Sequence, residues 1–420
     1  MKHSIIRRSL IVIIVFVAGN LFHYALMVSA NRILEPGIFG RFYTAISLLN
    51  VMLTPATVLT FMFAQHFSEI FLDAGIGPLT AELRFLIRWH FCVGMGLVLI
   101  CVLALFLVGS FLGADALTLL VLVPILALFV YLFEMVRAAL QSMLDFFAYS
   151  MAWIGWRALQ FVLAAAGLLF LGSAWAGIAG ILLATVLALL ALVMVVFRRA
   201  SPTAPASTHW TSGPFRVTGA VPFLIEYGIF ILVTNFDVLV AYLILTNDQL
   251  GVYSASSILP KAIVTATLPI TQVMLPVMSV AGAEWQPRRN ALLKALGLCS
   301  SLSALGVAVL MAGSELICND RFGIRFCSTG LLATLALSAI PLALLRVLIV
   351  AGLALPTQHH VIFPGLAVLA FTVISLAWIR TPDGLAFVYT GFCWLFLMIY
   401  GAVTMNGLRE EATVHKPLVP

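Results

Sequence analysis

Long apolar runs alternate with short polar breaks along almost the whole chain. The runs are rich in Leu, Ala and Val and mostly last about twenty residues or more. A helix rising 1.5 Å per residue needs that length to cross a hydrocarbon layer about 30 Å thick. Twelve such runs are readable, at roughly 10–30, 43–66, 86–109, 116–138, 146–170, 174–197, 218–245, 252–281, 291–313, 328–353, 359–379 and 384–405. A membrane β-barrel would instead show ten-residue segments of alternating polarity. The pattern predicts an all-α polytopic membrane protein with about twelve transmembrane helices. The opening MKHSIIRR has the basic start of a signal peptide, but no A-x-A-like site follows it and further spans do. The first run therefore reads as a retained helix.

Composition agrees with the pattern. The chain has 420 residues, 63% of them hydrophobic and 9% charged, where a soluble domain carries about 25% charged. No protein core could absorb this much apolar surface, so the solvent is lipid. The segment RRASPTAPASTHWTSGPFRV, 198–217, reads as a flexible linker. It divides the chain into a six-helix lobe at 1–197, a second lobe at 218–405 and a tail at 406–420. With the N-terminus inside, fourteen Lys and Arg fall on the cytoplasmic side and five on the outer side. Arg157, Lys261 and Arg346 remain within spans. This bias places both termini in the cytoplasm and points to a bacterial inner membrane. It also accounts for the sequence pI of 9.1 through anionic lipid, without nucleic acid.

NRILEPGIFGRFYTA, 31–45, has an echo in LILTNDQLGVYSAS. At an offset of 211 positions, Leu34 falls on Leu245, Gly40 on Gly251 and Phe42 on Tyr253. Both stretches join the first and second span of their half. Glycine permits a tight approach between helices, an aromatic suits the membrane interface, and the small residues that follow allow close packing. Gly40 and Gly251 are thus candidate hinges. The same offset sets Asn50 on Lys261 and Thr54 on Thr265. Ser47, Asn50, Thr54 and Thr57 share one helix face. Ordinary interhelical hydrogen bonding would explain a single such stripe. Two in register, one with a lysine, point to matching walls of one wet cavity in a parallel repeat, as in transporters whose halves rock about a central site.

The segment TNFDVLVAYLILTNDQLGVYSASSILPKAIVTATLPITQVMLPVMS and the start LEPGIFGRFYTAISLLNVMLTP resemble the polysaccharide transporter family. These are the O-antigen and capsule flippases of the multidrug/oligosaccharidyl-lipid/polysaccharide exporter superfamily. The resemblance implies a MATE-like pair of six-helix lobes around a cavity open to each side in turn, with a lipid-linked glycan as substrate. It makes Asp237, Gly251 and Tyr253 the counterparts of the family's recurrent acidic residue and Gly-x-Tyr turn.

An ionisable residue inside a span is costly unless it faces protein or water, which makes it a functional candidate. Arg157 lies beside Trp153, Trp156 and Gln160, and aromatic faces stack on sugar rings. Arg157, Lys261 and Arg346 could replace the hydration of a polyprenyl diphosphate in a wet cavity; the alternative is intramembrane pairing that fixes helix register. Glu226 and Asp237, eleven residues apart, could pair with those cations or carry a coupling proton. His23 could titrate near neutral pH or serve as a satisfied hydrogen bonder. Glu134, Arg137, Gln141 and Asp145 read as a solvated ion-pair network, or a gate, at the cytoplasmic end of spans four and five. Pro260, Pro269 and Pro276 make span eight the first choice for a bending gate. Cys318 and Cys327 bracket an outer loop and could form a disulfide in an oxidising compartment or stay free. No cysteine spacing suits a metal, and no cofactor motif is present.

The leading expectation is a monomeric flippase, not an enzyme. It would carry a lipid-linked oligosaccharide across the membrane for cell-surface polysaccharide biosynthesis, with membrane lipid and other polysaccharide-assembly membrane proteins as its partners. A drug/cation antiporter wants a carboxylate deep in the N-terminal lobe, and span one carries Asn20 and His23 instead. A membrane glycan polymerase or ligase wants a sizeable outer loop or paired carboxylates, and neither is visible.

Overall fold

In the computed structural model the chain is described over residues 2–108, 114–143, 145–199, 221–271, 274, 285–319, 323–352 and 362–414, with most side chains in those stretches. Secondary structure there is helical throughout. The helices are α1 (Lys2–Ile33), α2 (Pro36–Met52), α3 (Thr54–Ala74), α4 (Ile76–Val108), α5 (Ala114–Ser142), α6 (Phe146–Leu171) and α7 (Ala174–Arg199). They continue as α8 (Val221–Ile244), α9 (Asn247–Ala266), α10 (Trp285–Ala312), the short α11 (Ser314–Ile317), α12 (Thr329–Gly352), α13 (Ile362–Trp378) and α14 (Pro382–Val414). Among the described residues nine helices are long and apolar enough to cross a membrane. Three predicted spans fall short for local reasons. The run 43–66 is divided between α2 and α3, 252–281 ends its first helix at Ala266, and 359–379 begins outside the described residues.

The chain forms two compact units, Met1–Leu224 and Ile225–Pro420. The helix pairings of the first recur in the second. In the first unit α5 is packed by α2, α3, α4 and α7, and α6 packs on α7. In the second, α12 is packed by α9, α10 and α14, and α13 packs on α14. Polar side chains inside the helices are largely satisfied locally: Thr44, Ser68, Thr234 and Ser303 each donate to the carbonyl four residues back. An unpaired hydroxyl in hydrocarbon would cost several kcal/mol.

The repeat is visible in the backbone. Helix α1 ends at Ile33 and α8 at Ile244; α2 starts at Pro36 and α9 at Asn247. Both pairs of boundaries differ by the offset of 211. The connections adopt one conformation, with φ and ψ of −67° and 156° at Glu35 and of −68° and 162° at Thr246. Two local chemistries reach it. Pro36 presets the first turn of α2, whereas Thr246 and Gln249 close a capping box at the start of α9.

Two expectations about this stretch change. The connections are only two residues long, so Gly40 and Gly251 lie inside α2 and α9, and neither has a positive φ. The aromatics are not at an interface: Phe42 and Tyr253 are fully buried. Phe42 packs beneath Gly177 of α7, where an added Cβ would meet its ring at 2.9 Å.

Both second spans break just before a proline. Leu53 closes α2 ahead of Pro55, and Thr267 closes α9 ahead of Pro269. A proline ring clashes with the carbonyl four residues back and its nitrogen cannot donate, so the ladder of hydrogen bonds is interrupted in the turn ahead of it. Pro260 sits buried inside an unbroken α9, so the break in span eight belongs to Pro269; Pro276 lies outside the described residues. Cys318 and Cys327 are joined in a disulfide. Its loop is tied to α9, because the Ser328 N–H donates to Ser256 Oγ at 3.1 Å.

Candidate functional site

Among the described residues each unit holds a buried polar cluster around an in-span charge. In the first unit it is built on α6, whose start is fixed by the Asp145 side chain accepting from the Ala148 N–H at 2.9 Å. Trp153, Trp156, Arg157 and Gln160 are spaced four, one and three residues about the arginine, so they gather on one side of the helix. The guanidinium carbon of Arg157 lies 4.7 Å from the Trp153 ring centre and 4.6 Å from that of Trp156. Nη1 donates to Gln160 Oε1 at 3.0 Å and faces His23 Nδ1 on α1 at 3.4 Å. The second indole is itself anchored. Trp156 Nε1 and Gln160 Nε2 both donate to Thr185 Oγ1 on α7, which donates onward to the Ile181 carbonyl. Phe16 stacks on Trp153 and Phe133 packs on Trp156. Arg157 Nε and Trp153 Nε1 are buried without a hydrogen-bond partner.

A second arginine joins this cluster. Arg137 on α5 is bound by Glu134, with Nε donating to Oε2 at 2.9 Å. Its guanidinium also lies over Tyr149 at 4.3 Å and Trp153 at 4.9 Å. The expected ion pair of Glu134 and Arg137 forms, but it is not solvated and does not extend to Asp145. Glu134 and Arg137 are nearly buried, and Asp145 pairs with Arg199 at the end of α7 instead. Trp153 is thus shared by two guanidiniums. Among the described residues no carboxylate stands within ion-pair distance of Arg157.

In the second unit the cluster centres on Asp237 of α8, which has no exposed surface. Lys261 Nζ donates to Oδ1 at 2.8 Å and Tyr253 OH to Oδ2 at 3.3 Å, both from α9. Tyr389 of α14 donates to the Val233 carbonyl, one turn before Asp237. Arg346 of α12 works elsewhere. The break ahead of Pro269 orphans carbonyls in the last turn of α9. Val264 O there accepts from Thr267 Oγ1 and, at 2.9 Å, from Arg346 Nη1. The guanidinium lies over Phe230, and a cation at a helix C-terminus is favoured by the backbone dipole.

The three in-span cations thus have distinct settings: an aromatic cage for Arg157, a carboxylate for Lys261 and a broken helix end for Arg346. Of the remaining candidates, Asn50 is exposed, Thr54 is buried with Oγ1 unpartnered, and Thr265 donates to the Lys261 carbonyl. The Glu226 side chain lies outside the described residues. Arg137, Tyr149 and Thr185 were not singled out as cavity residues in the sequence. Their one signal was spacing, since Arg137 is four residues after Phe133 on the buried face of α5.

No family profile matches the chain, and no curated protein matches it. Solved structures do. One is a multidrug resistance MATE family transporter of the MOP superfamily in an outward-facing conformation. It is 13% identical, covers 98% of this chain and 97% of its own, and superposes with a TM-score of 0.68. Another, a MATE transporter in a straight conformation, is 12% identical with the same coverage and a TM-score of 0.64. A third is a MOP superfamily transporter from Pyrococcus furiosus, for which a reversed polarity of the binding pocket suggests a different function. It is 13% identical, covers 99% of this chain and 97% of its own, and has a TM-score of 0.66. The chain has the fold of the MATE transporters and is a multi-pass membrane protein.

Proposed function

We propose that this chain carries a lipid-linked oligosaccharide, a glycan on a polyprenyl diphosphate, across a bacterial inner membrane by alternating access for cell-surface polysaccharide assembly. The observation that carries the reading is Arg157: a half-buried guanidinium lying against two indoles, with no carboxylate in ion-pair distance among the described residues. Holding an arginine inside a span costs about 2.5–3.5 kcal/mol or more. The indole faces return about 0.5–2 kcal/mol each. The remainder is offset when an anion binds, and a diphosphate joined to sugar rings matches a guanidinium set among aromatic faces.

The drug/cation antiporter reading wants an available carboxylate. Glu134 is bound by Arg137 and Asp237 by Lys261, which favours an anionic cargo. That a solved transporter of this fold has a pocket of reversed polarity is compatible with a change of cargo charge on one scaffold.

Deletion of the gene, followed by analysis of lipid-linked sugars and of the cell surface, tests the proposal. The expected result is accumulation of a polyprenyl-diphosphate oligosaccharide together with loss of a surface glycan. Unchanged lipid-linked sugars with an intact surface would refute it.

A further inference from the structure

The arginines in the first half of α4 and in the last turn of α7 belong to neither buried cluster. Arg84 and Arg88 are one turn apart on α4 and share a face; both are exposed. The Arg84 guanidinium lies 5.1 Å from the Phe197 ring of α7. This face of α4 therefore fronts the last turn of α7, where Arg198 and Arg199 follow. Arg199 is bound to Asp145, and Glu82 of α4 turns the other way to His66 of α3. Among the described residues no carboxylate is within ion-pair distance of Arg84, Arg88 or Arg198. For Arg198 the chain offers none nearby in sequence, because no Asp or Glu occurs between Asp145 and Glu226. Beside the arginines the α4 surface is apolar: Phe85 and Trp89 are 61% and 59% exposed.

Guanidiniums on facing parts of two helices repel one another unless an anion lies among them. Their planar donor forks match phosphate, and their long stems let the charge reach the headgroup level while the helix stays in hydrocarbon. Aromatic rings belong at that same level. We propose that this edge of the first unit binds one anionic phospholipid, its phosphate held by Arg84, Arg88 and Arg198 and its acyl chains lying along Phe85 and Trp89. A soluble phosphate would leave the rings uncovered, whereas a diacyl lipid covers them and bridges α4 to α7. The site shares no residue with the Arg157 cluster and stands independently of the transported substrate.

Native mass spectrometry of the full-length protein in detergent, with phosphatidylglycerol or phosphatidylcholine added, tests this. The wild type should retain phosphatidylglycerol preferentially. Arg84→Gln, Arg88→Gln and Arg198→Gln should each weaken retention about fivefold, with unfolding temperatures close to wild type when no lipid is added. Arg289→Gln, an exposed arginine on α10, serves as the control. Equal retention of the two lipids, no loss in the three variants, or the same loss in Arg289→Gln would overturn the proposal.

Discussion

Lys261 of α9 binds Asp237 of α8 at 2.8 Å, and the carboxylate is wholly buried. Removing one partner of such a pair strands a charge, which costs about 3–5 kcal/mol. Lys261→Ala is expected to lower the unfolding temperature sharply, and the double change Lys261→Met with Asp237→Leu to recover most of it. A wild-type melting curve for Lys261→Ala would show that the pair does not hold the two helices.

Arg157 is a different case, because its neighbours are rings. Arg157→Lys keeps the charge and loses the planar group that lies against Trp153 and Trp156. Since cation–π contact is worth about 0.5–2 kcal/mol, export measured at equal protein amount should fall about tenfold. Arg157→Ala should abolish it without lowering the unfolding temperature.

Small residues decide how closely α6 and α7 approach. A Cβ on Gly180 would come within 2.5 Å of the Leu163 carbonyl oxygen and 2.7 Å of the Ala164 Cα, both backbone atoms. Gly180→Ala should therefore destabilise the first unit by about 1–3 kcal/mol. Gly155 has nothing within 4 Å of its added Cβ, and Gly155→Ala should be neutral or mildly stabilising. Thermal unfolding of the two variants side by side reads the difference.

Asp145 supplies a pH dependence. Burial pushes its carboxyl up, but the Ala148 N–H and the Arg199 guanidinium outweigh that and hold it below its ordinary value. A depressed carboxylate contributes its stability above the unfolded pKa, near 3.9, and loses it as the pH falls through the folded value. The pair is partly solvated, so the stability gap between wild type and Asp145→Asn should stay under about 1 kcal/mol at neutral pH. It should begin to shrink below about pH 4 and close as the pH falls through the folded value. A gap that persists unchanged in acid would mean that the carboxylate charge contributes nothing.

Much of this was legible in the sequence. The offset of 211 that aligns Gly40 with Gly251 also aligns the helix ends at Ile33 and Ile244, because a two-residue connection leaves the backbone little choice. Arg157 and its tryptophans could be grouped because helical spacing alone assembles them. The breaks at Leu53 and Thr267 were less plain, since Pro55 and Pro269 look like Pro260, and only tertiary packing decides which proline is absorbed. That Asp237 pairs with an in-span cation was readable, though not which one, and the partners of Arg346 could not be read at all. They come from other helices, and hydropathy does not record which faces meet. Arg137 was placed in solvent because a run of charged residues near a span end usually is; its burial depends on Tyr149 and Trp153 from α6.

The disulfide between Cys318 and Cys327 makes threading observable. Such a bond persists only on an oxidising side of the membrane, so its two sulfurs report which compartment the loop after α10 occupies. Intact cells treated with a membrane-impermeant alkylating reagent, before and after a reductant, would show whether that loop faces outward. Each crossing inverts the side, so this one reading also assigns the compartment reached at the far end of α12, the helix that follows the loop.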